Sequence, residues 1–463
     1  MQPTESEIVY RGQKELRRVA RISVDNLFGV YYHDIRLNLD HRITIIHGPN
    51  GVGKTVLLRL VSNFFRGRYL FLARVPYDCF QVSLDDGSSA SVRQLPAATA
   101  NTLGSERQTL QIDIVSQSGT KFETFQIDVE SELLRTAQRL EQMSPYIRRV
   151  DDATWIDDRV QARLSARELV DLYNDENEDE APLPGPEWVE EFRNSVSVHL
   201  IETQRLLMLS AQPAATRFAL HNQQSVSVPT VRRYAAQLQR NISSTLRQYA
   251  AISQRLDQTF PQRLLSGPPT LDIDRLKEKM RSLDQNRSKL AQIGLVQENQ
   301  PGLFNFENVE TLDNTQTNVM TLYVNDTEQK LAALDAISHR VSLLLDIVNK
   351  KFRHKRIMAS PEHGLVAIGQ DDNALDLSSL SSGEQHELVL AYDLLFRVRR
   401  NSLVMIDEPE LSLHVTWQRA FLPDLINIVK ASEFDVLLAT HSQIIAGESP
   451  ELMIALTDPA PEE

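Results

Sequence analysis

Apolar and polar positions alternate through the first part of the chain. From Val19 it reads VARISVDNL and then YYHDIRLNLD, and this period of two predicts a half-buried antiparallel pair of strands. The next segment, RITIIHG, differs: ITII at 43–46 is an unbroken apolar run, as in a strand buried on both faces. From Lys54 to about Phe65 the period becomes helical. Two hairpin-like pairs follow, one turning at Asp86-Gly87 and one in SQSG near Gly119. The stretch DLYNDENEDEAPLPGPEW at 171–188 is acidic and proline-rich and predicts a solvated loop. The strand-like VSVHLIETQRLL then ends near Leu207.

Beyond that point the pattern is helical over three stretches, Val231–Phe260, Leu271–Gln292 and Thr327–Phe352. Pro261 and the SGPPT at 266–270 are expected to separate the first two. The third carries Leu331, Leu334, Val341, Leu345, Val348 and Phe352 at a/d spacing, with Ser338 interrupting. A helix of about 26 residues gives an arm on the order of 40 Å. Strand signals return in RIMAS and LVAIG around a PEHG turn. A helix from about Glu384, the strand LVMI, a helix over Thr416–Lys430 and the strand DVLLA follow in βαβ order. The expected architecture is an α/β head split by a helical arm: lobe one over 1–215, arm over 216–352, lobe two over 353–463. No internal repeat is visible.

Composition narrows the class. With 463 residues, 41% hydrophobic and 24% charged, the chain reads as an ordinary globular protein. No apolar run approaches 18 residues, and the polar start MQPTESEIVYRGQKELRR lacks a signal peptide's apolar region, so a cytoplasmic location without a membrane span is expected. One cysteine, Cys79, rules out an intrachain disulfide framework. The net charge of −13 argues against a protein coated for nucleic acid overall. Locally the balance reverses: residues 231–290 hold 12 Lys/Arg against 5 Asp/Glu, and KKFRHKR at 350–356 adds a second basic cluster. Such a surface suits DNA phosphates, an acidic DNA-mimicking protein, or plain solvation of a helical face.

Four short segments carry chemistry. Gly48-Pro49-Asn50-Gly51-Val52-Gly53-Lys54-Thr55, between a buried strand and a helix, has the G-x4-G-K-T form of a Walker A loop. Its glycines let backbone N–H groups turn inward around phosphates, with the helix N-terminus behind them. Lys54 is expected to reach the β- and γ-phosphates of ATP, and Thr55 to offer its hydroxyl to Mg²⁺. Leu403-Val-Met-Ile-Asp407-Glu408 has the form of a Walker B strand. There Asp407 would hold magnesium and Glu408 would polarise the attacking water. Leu380-Ser381-Ser382-Gly383-Glu384-Gln385 opens a helix and is another anion-binding candidate, although Ser followed by Glu also caps helices. His441 follows the strand DVLLA in ATHS.

In this order the motifs resemble the ABC-type ATPases of the SMC, RecF and OLD class, with LSSGE as the signature. That resemblance implies that Ser381, Ser382, Gly383 and Glu384 close over the nucleotide of a second copy. It implies that His441 senses the γ-phosphate, and that a glutamine before the arm ligates magnesium. Gln204 fits that place and Gln81 is its competitor; Tyr31 or Tyr32 would stack on adenine. IDEPELSLH departs from the usual D-loop and resembles the DEPExxLH form of OLD-like proteins, leaving Ser412 and His414 without an assigned role. LSSGEQHELVLAYDLLF and IDEPELSLHVTWQ resemble the ATPases of bacterial anti-phage systems, PARIS first and Septu second. PARIS-like function implies a head-to-head dimer or higher ring that holds a separate nuclease, of Toprim type, and releases it on sensing a phage anti-restriction protein. The other expectation is a RecF- or SMC-like DNA-binding ATPase of repair. The 22 residues after His441 are expected to add at most a strand and a short loop, so cutting chemistry is expected on another polypeptide.

Overall fold

The computed structural model describes residues 16–95, 108–122, 124–174, 183–202, 230–267, 271–296, 313–413, 415–447 and 449–456. They fall into two compact units. The first takes the chain up to 203, 398–411 and 433 onward; the second takes 204–397 and 412–432.

A five-stranded sheet lies at the heart of the first unit. Its order is Val198–Glu202, Leu403–Asp407, Asp435–Thr440, Ile43–His47, Met453–Ala455, and every neighbouring pair is parallel. The three central strands are the unbroken apolar runs, because parallel strands are covered on both faces. Parallel pairing sets the carboxyl ends side by side: Glu202 is in register with Asp407, Asp407 with Ala439, and Thr440 with His47. The chain's last described strand, Met453–Ala455, extends this sheet beside Ile43–His47.

The helix Lys54–Arg66 buries Leu57, Leu58, Val61, Phe64 and Phe65 in the core of this unit. It stops at Gly67, whose φ of 71° is left-handed, and a Cβ there would lie 2.6 Å from the Arg193 guanidinium. A six-stranded antiparallel sheet follows the order 31–36, 19–27, 79–84, 89–95, 109–115, 125–128 and contains the expected first pair and both hairpins. Between it and Glu187 stands a small element the periodicity did not reveal. Helices Val129–Met143 and Ala166–Asn174 flank strands of three or four residues at 147–149, 154–157 and 162–165, around a fully buried Trp155. Strands this short hold too few positions for alternation to register. The acidic stretch is partly helical, ending one helix at Asn174 and starting another at Glu187, while 175–182 lie outside the described residues.

The second unit contains the arm, as helices Thr230–Leu265, Ile273–Gln292 and Asn314–Lys351. Pro261 does not end the first of them. It sits one turn from the end, where its missing N–H forfeits one hydrogen bond, and the break comes at Ser266-Gly267 with Gly267 left-handed at φ 71°. The third helix starts 13 residues earlier than expected (327 minus 314), under a capping box in which Asp313 accepts from Gln316 N at 2.7 Å. Its 38 residues span roughly 57 Å rather than 40 Å. The a/d residues are buried as expected, and Ile337 fills the place that Ser338 seemed to interrupt.

Both ends of the arm are tied to the helix Ser382–Tyr392. Tyr234 stacks on Tyr392 with centroids 4.7 Å apart, and Tyr392 on Phe396 at 4.8 Å. Lys351, at the arm's far root, is paired with Glu387 and, at 2.9 Å, with Asp424. Burial raises the Glu387 pKa and the Lys351 ammonium opposes it. Removing one member of a buried pair strands the other's charge. Lys351→Ala is therefore expected to lose about 3–5 kcal/mol of stability by urea unfolding, with Glu387→Leu in the same chain restoring part of it. A loss below about 1 kcal/mol, typical of an exposed pair, would contradict the buried clamp.

Candidate functional site

The carboxyl edge of the parallel sheet organises the site in the first unit, as such edges do in α/β folds. From His47 the chain turns through Gly48–Gly53 into the helix. Gly51 and Gly53 have φ of 87° and 95°, which other residues adopt at a cost. A Cβ on Gly53 would approach Leu27 Cδ2 to 2.5 Å, and one on Gly48 would approach the Leu456 carbonyl to 2.4 Å. The loop thus hugs the protein through positions without side chains, while Pro49, Asn50 and Gly51 stay exposed at its tip. His33 Nε2 donates to the Val52 carbonyl at 2.7 Å and pins the loop from behind.

Lys54 is buried at 4% exposure, and its Nζ donates to the carbonyls of Gly48 (2.8 Å) and Pro49 (3.0 Å). Burial lowers its pKa, with Glu408, Asp407 and Glu410 pulling the other way. A third contact reaches His441 Nδ1 at 3.3 Å. An ammonium only donates, so Nδ1 accepts and the ring proton sits on Nε2, which faces Glu408 Oε1 at 3.3 Å. Lys54, His441 and Glu408 form one chain of polar contacts. Glu408 itself is held in the left-handed region at φ 45°, where its N–H donates to the Ala439 carbonyl at 2.9 Å. A non-glycine residue there costs on the order of 1 kcal/mol, offset here by the bond to Ala439 and the contact with His441.

Thr55 Oγ1 donates to Asp407 Oδ1 at 3.2 Å. The Asp407 carboxyl is pushed up to about 6, first by burial and then by Glu408 and Glu202, against the Thr55 hydrogen bond and Arg59. Arg59 Nε meanwhile bonds Glu202 at 2.7 Å. A hydroxyl and a carboxylate starved of positive charge are hard oxygen donors that fit magnesium, which commonly takes few protein ligands beside substrate phosphates. With a folded pKa above the ordinary 3.8, ionised Asp407 is a liability that appears as pH rises from about 4 and is complete above about 6. Asp407→Asn is expected to stabilise the nucleotide-free protein by about 1–2 kcal/mol at pH 8, after discounting for solvent screening, and to leave it unchanged at pH 4. Thermal melts at the two pH values check this; equal or lower stability at pH 8 contradicts it.

Glu410 is the glutamate of the DEPExxLH segment, and the motif gives its place but not what it holds. Its carboxylate accepts from Thr440 Oγ1 (2.8 Å), His441 N (2.7 Å) and Ser442 N (3.1 Å), stapling the loop that carries the histidine. Its partners lie 30 residues away in sequence, so only the sheet order brings them together. His33 and the Arg59–Glu202 pair were likewise unread.

Lys54, Thr55, Asp407, Glu408 and His441 are thus assembled at one edge. The signature lies in the second unit. Ser381 caps its helix, accepting from Glu384 N at 3.3 Å, while Glu384 Oε2 accepts from Ser381 N at 2.7 Å and from Lys355 at 2.8 Å. The cap engages Ser381 and Glu384, and Ser382 stands exposed beside Gly383. Gly383 has room for a methyl, the nearest atom being Trp417 Cζ3 at 3.7 Å. Gln204 and His414 lie outside the described residues. Gln81 is paired with Ser23 and Ser91 in the antiparallel sheet. Tyr31 stacks on His33, and Tyr32 is exposed.

Sheet, loop and carboxylates define a P-loop nucleotide-binding head of ABC type, split in sequence by a helical arm. The family model described as "AAA domain, putative AbiEii toxin, Type IV TA system" matches residues 43–446, and the chain belongs to that family. Among solved structures it is similar to the Smc head domain with an extended coiled coil bound to the C-terminal domain of ScpA, derived from Pyrococcus furiosus. That match has 11% identity, 96% of this chain and 95% of the other covered, and a TM-score of 0.34. The SmcHead bound to the C-winged helix domain of ScpA gives 10%, 95%, 94% and 0.33. No curated protein matches. Among the described residues no helix is long and apolar enough to cross a membrane.

Proposed function

We propose that this chain binds Mg·ATP and hydrolyses it, and that it serves as the sensor and scaffold of a bacterial anti-phage defence system. The observation behind the ATPase reading is the convergence of Lys54, Thr55, Asp407, Glu408 and His441 on one sheet edge, each with the partner its role needs. Gly48 to Gly53 would wrap the phosphates, Lys54 would leave its loop carbonyls for the γ-phosphate, and Thr55 with Asp407 would hold magnesium. Magnesium, when bound, neutralises charge on the phosphates. Glu408 takes the proton of a water that attacks the γ-phosphorus as the bond to the β-phosphate oxygen breaks. His441, held between Lys54 and Glu408, is placed to report on the γ-phosphate. Ser382 and Gly383 would complete the site of a second copy, in a dimer or a higher ring, and Gln204 would join the magnesium ligands. In this reading the head comprises lobes 1–215 and 353–463 around the arm 216–352, and the protein works in the cytoplasm.

The toxin–antitoxin description of the family supports a defence setting. Within it, the signature and D-loop segments favour AriA of the PARIS system, ahead of PtuA of Septu. The effector would be a separate nuclease, of Toprim type in the PARIS reading, released when an acidic phage protein meets the basic arm. Two assays on purified protein test this: phosphate release with Mg²⁺, and DNA or RNA cleavage by the single chain. ATP turnover without cleavage is expected; cleavage lost with a point substitution in this chain would refute a separate effector.

The basic balance of residues 231–290 favours a second reading, a RecF- or SMC-like DNA-binding ATPase. Affinity for DNA that falls steeply with salt, without a co-purifying nuclease, would favour it.

A further inference from the structure

We infer that Glu410 is a positioning residue for hydrolysis, acting through His441. This rests on the ATPase reading. Thr440 is the last paired residue of the strand Asp435–Thr440, and His441 and Ser442 leave the sheet beyond it, where no ladder fixes the chain. The Glu410 carboxylate replaces the ladder. One oxygen takes the N–H groups of His441 and Ser442, and the fully buried Thr440 hydroxyl reaches both oxygens at 2.8 Å. Ser442 N also approaches Thr440 Oγ1 at 2.9 Å, and Ser442 Oγ caps the next turn at Ile445 N, so the loop is locked from both sides. With its backbone fixed, the His441 ring sits with Nδ1 on Lys54 and Nε2 on Glu408, each at 3.3 Å.

These contacts are already long, so a small backbone shift breaks one or both. Glu410 follows the Walker B pair by two residues, and its own N-terminal neighbours turn sharply through Glu408 at φ 45°. Any motion of this turn therefore moves the histidine that bridges the phosphate-binding lysine and the base. The Glu410 hydrogen bonds go to Thr440, His441 and Ser442, so beside its electrostatic pull on Lys54 its influence on hydrolysis passes through the loop it holds. An amide could keep its oxygen on the His441 and Ser442 N–H groups and turn its NH₂ to the Thr440 hydroxyl, so it would hold the loop by neutral bonds, weaker than those of the carboxylate.

The test is a double-mutant cycle on the full chain with Glu410→Ala, Glu410→Gln, His441→Ala and the combination Glu410→Ala/His441→Ala. Glu410→Ala is expected to lower kcat by about a hundredfold, as misplacing a reacting group by an ångström does, while KM for ATP stays within about threefold. Glu410→Gln should fall between, and Glu410→Ala should cost nothing further once His441 is gone. Equal effects in the two backgrounds, or a loss carried by KM, would overturn the inference. ¹⁵N chemical shifts of the His441 ring, measured without nucleotide, give a second reading. The native ring should be protonated at Nε2 alone, and Glu410→Ala should mix the tautomers. An unchanged ring in Glu410→Ala overturns the positioning role, whereas absence of turnover in the native protein with the expected ring response would remove the ATPase reading and leave the staple standing.

Discussion

Glu408→Gln is expected to bind ATP as tightly as the native chain while turnover falls by about 10²–10⁴-fold, the usual contribution of a general base. The substitution changes one oxygen for an NH₂ group and keeps the side chain's size, so the left-handed turn at φ 45° and its bond to Ala439 remain. It removes the basicity of the group and reverses the contact at His441 Nε2, which now meets either a donor or a neutral carbonyl. Nucleotide affinity by calorimetry and phosphate release by a coupled assay separate the two quantities. Turnover within a few-fold of native would mean that another group takes the proton.

Lys54→Ala should lose affinity and turnover together, where Glu408→Gln loses turnover alone. The ammonium lies in a nearly closed place, where burial already lowers its pKa, and its bonds to the Gly48 and Pro49 carbonyls keep the loop folded inward. A charge-assisted bond in such a place is worth about 1.5–3 kcal/mol, so affinity for ATP should drop by about ten- to a hundredfold, with a smaller loss for AMP, which has no β- or γ-phosphate. Equal losses for ATP and AMP would place Lys54 away from the terminal phosphates.

The site was legible where chemistry is written in consecutive residues. Gly48 to Thr55 and Leu403 to Glu408 are each a single strand-to-loop transition, so their spacing in sequence is their spacing in the fold. The place of Glu410 in DEPExxLH was legible but its role was not, because what it holds begins at Thr440 and only the parallel register of strands 403–407 and 435–440 makes them neighbours. His33 was hidden in the same way, on a strand whose alternation showed burial but not the Val52 carbonyl it meets. In the fold, long apolar runs mark the buried strands and the a/d stripe marks the buried face of the arm. The small sheet around Trp155 and the helix start at Asn314 were not legible, since three-residue strands and a polar first turn carry no periodic signal. Pro261 misled because a proline's effect depends on how many turns follow it, and here only one does.

We propose an ATPase whose site is completed by a second copy. Mixing Lys54→Ala chains with Ser382→Arg chains tests it most directly. The first variant lacks the phosphate cation and the second places a bulky charge on the exposed signature serine, so each alone is expected to be inactive. A mixed pair keeps one site with an intact Lys54 on one copy and an intact Ser382 on the other. Activity that rises from near zero, to a maximum near equal mixing, is the predicted result. Activity that stays at the level of the separate variants at every ratio, with subunit exchange confirmed by differently tagged chains, would contradict a shared site.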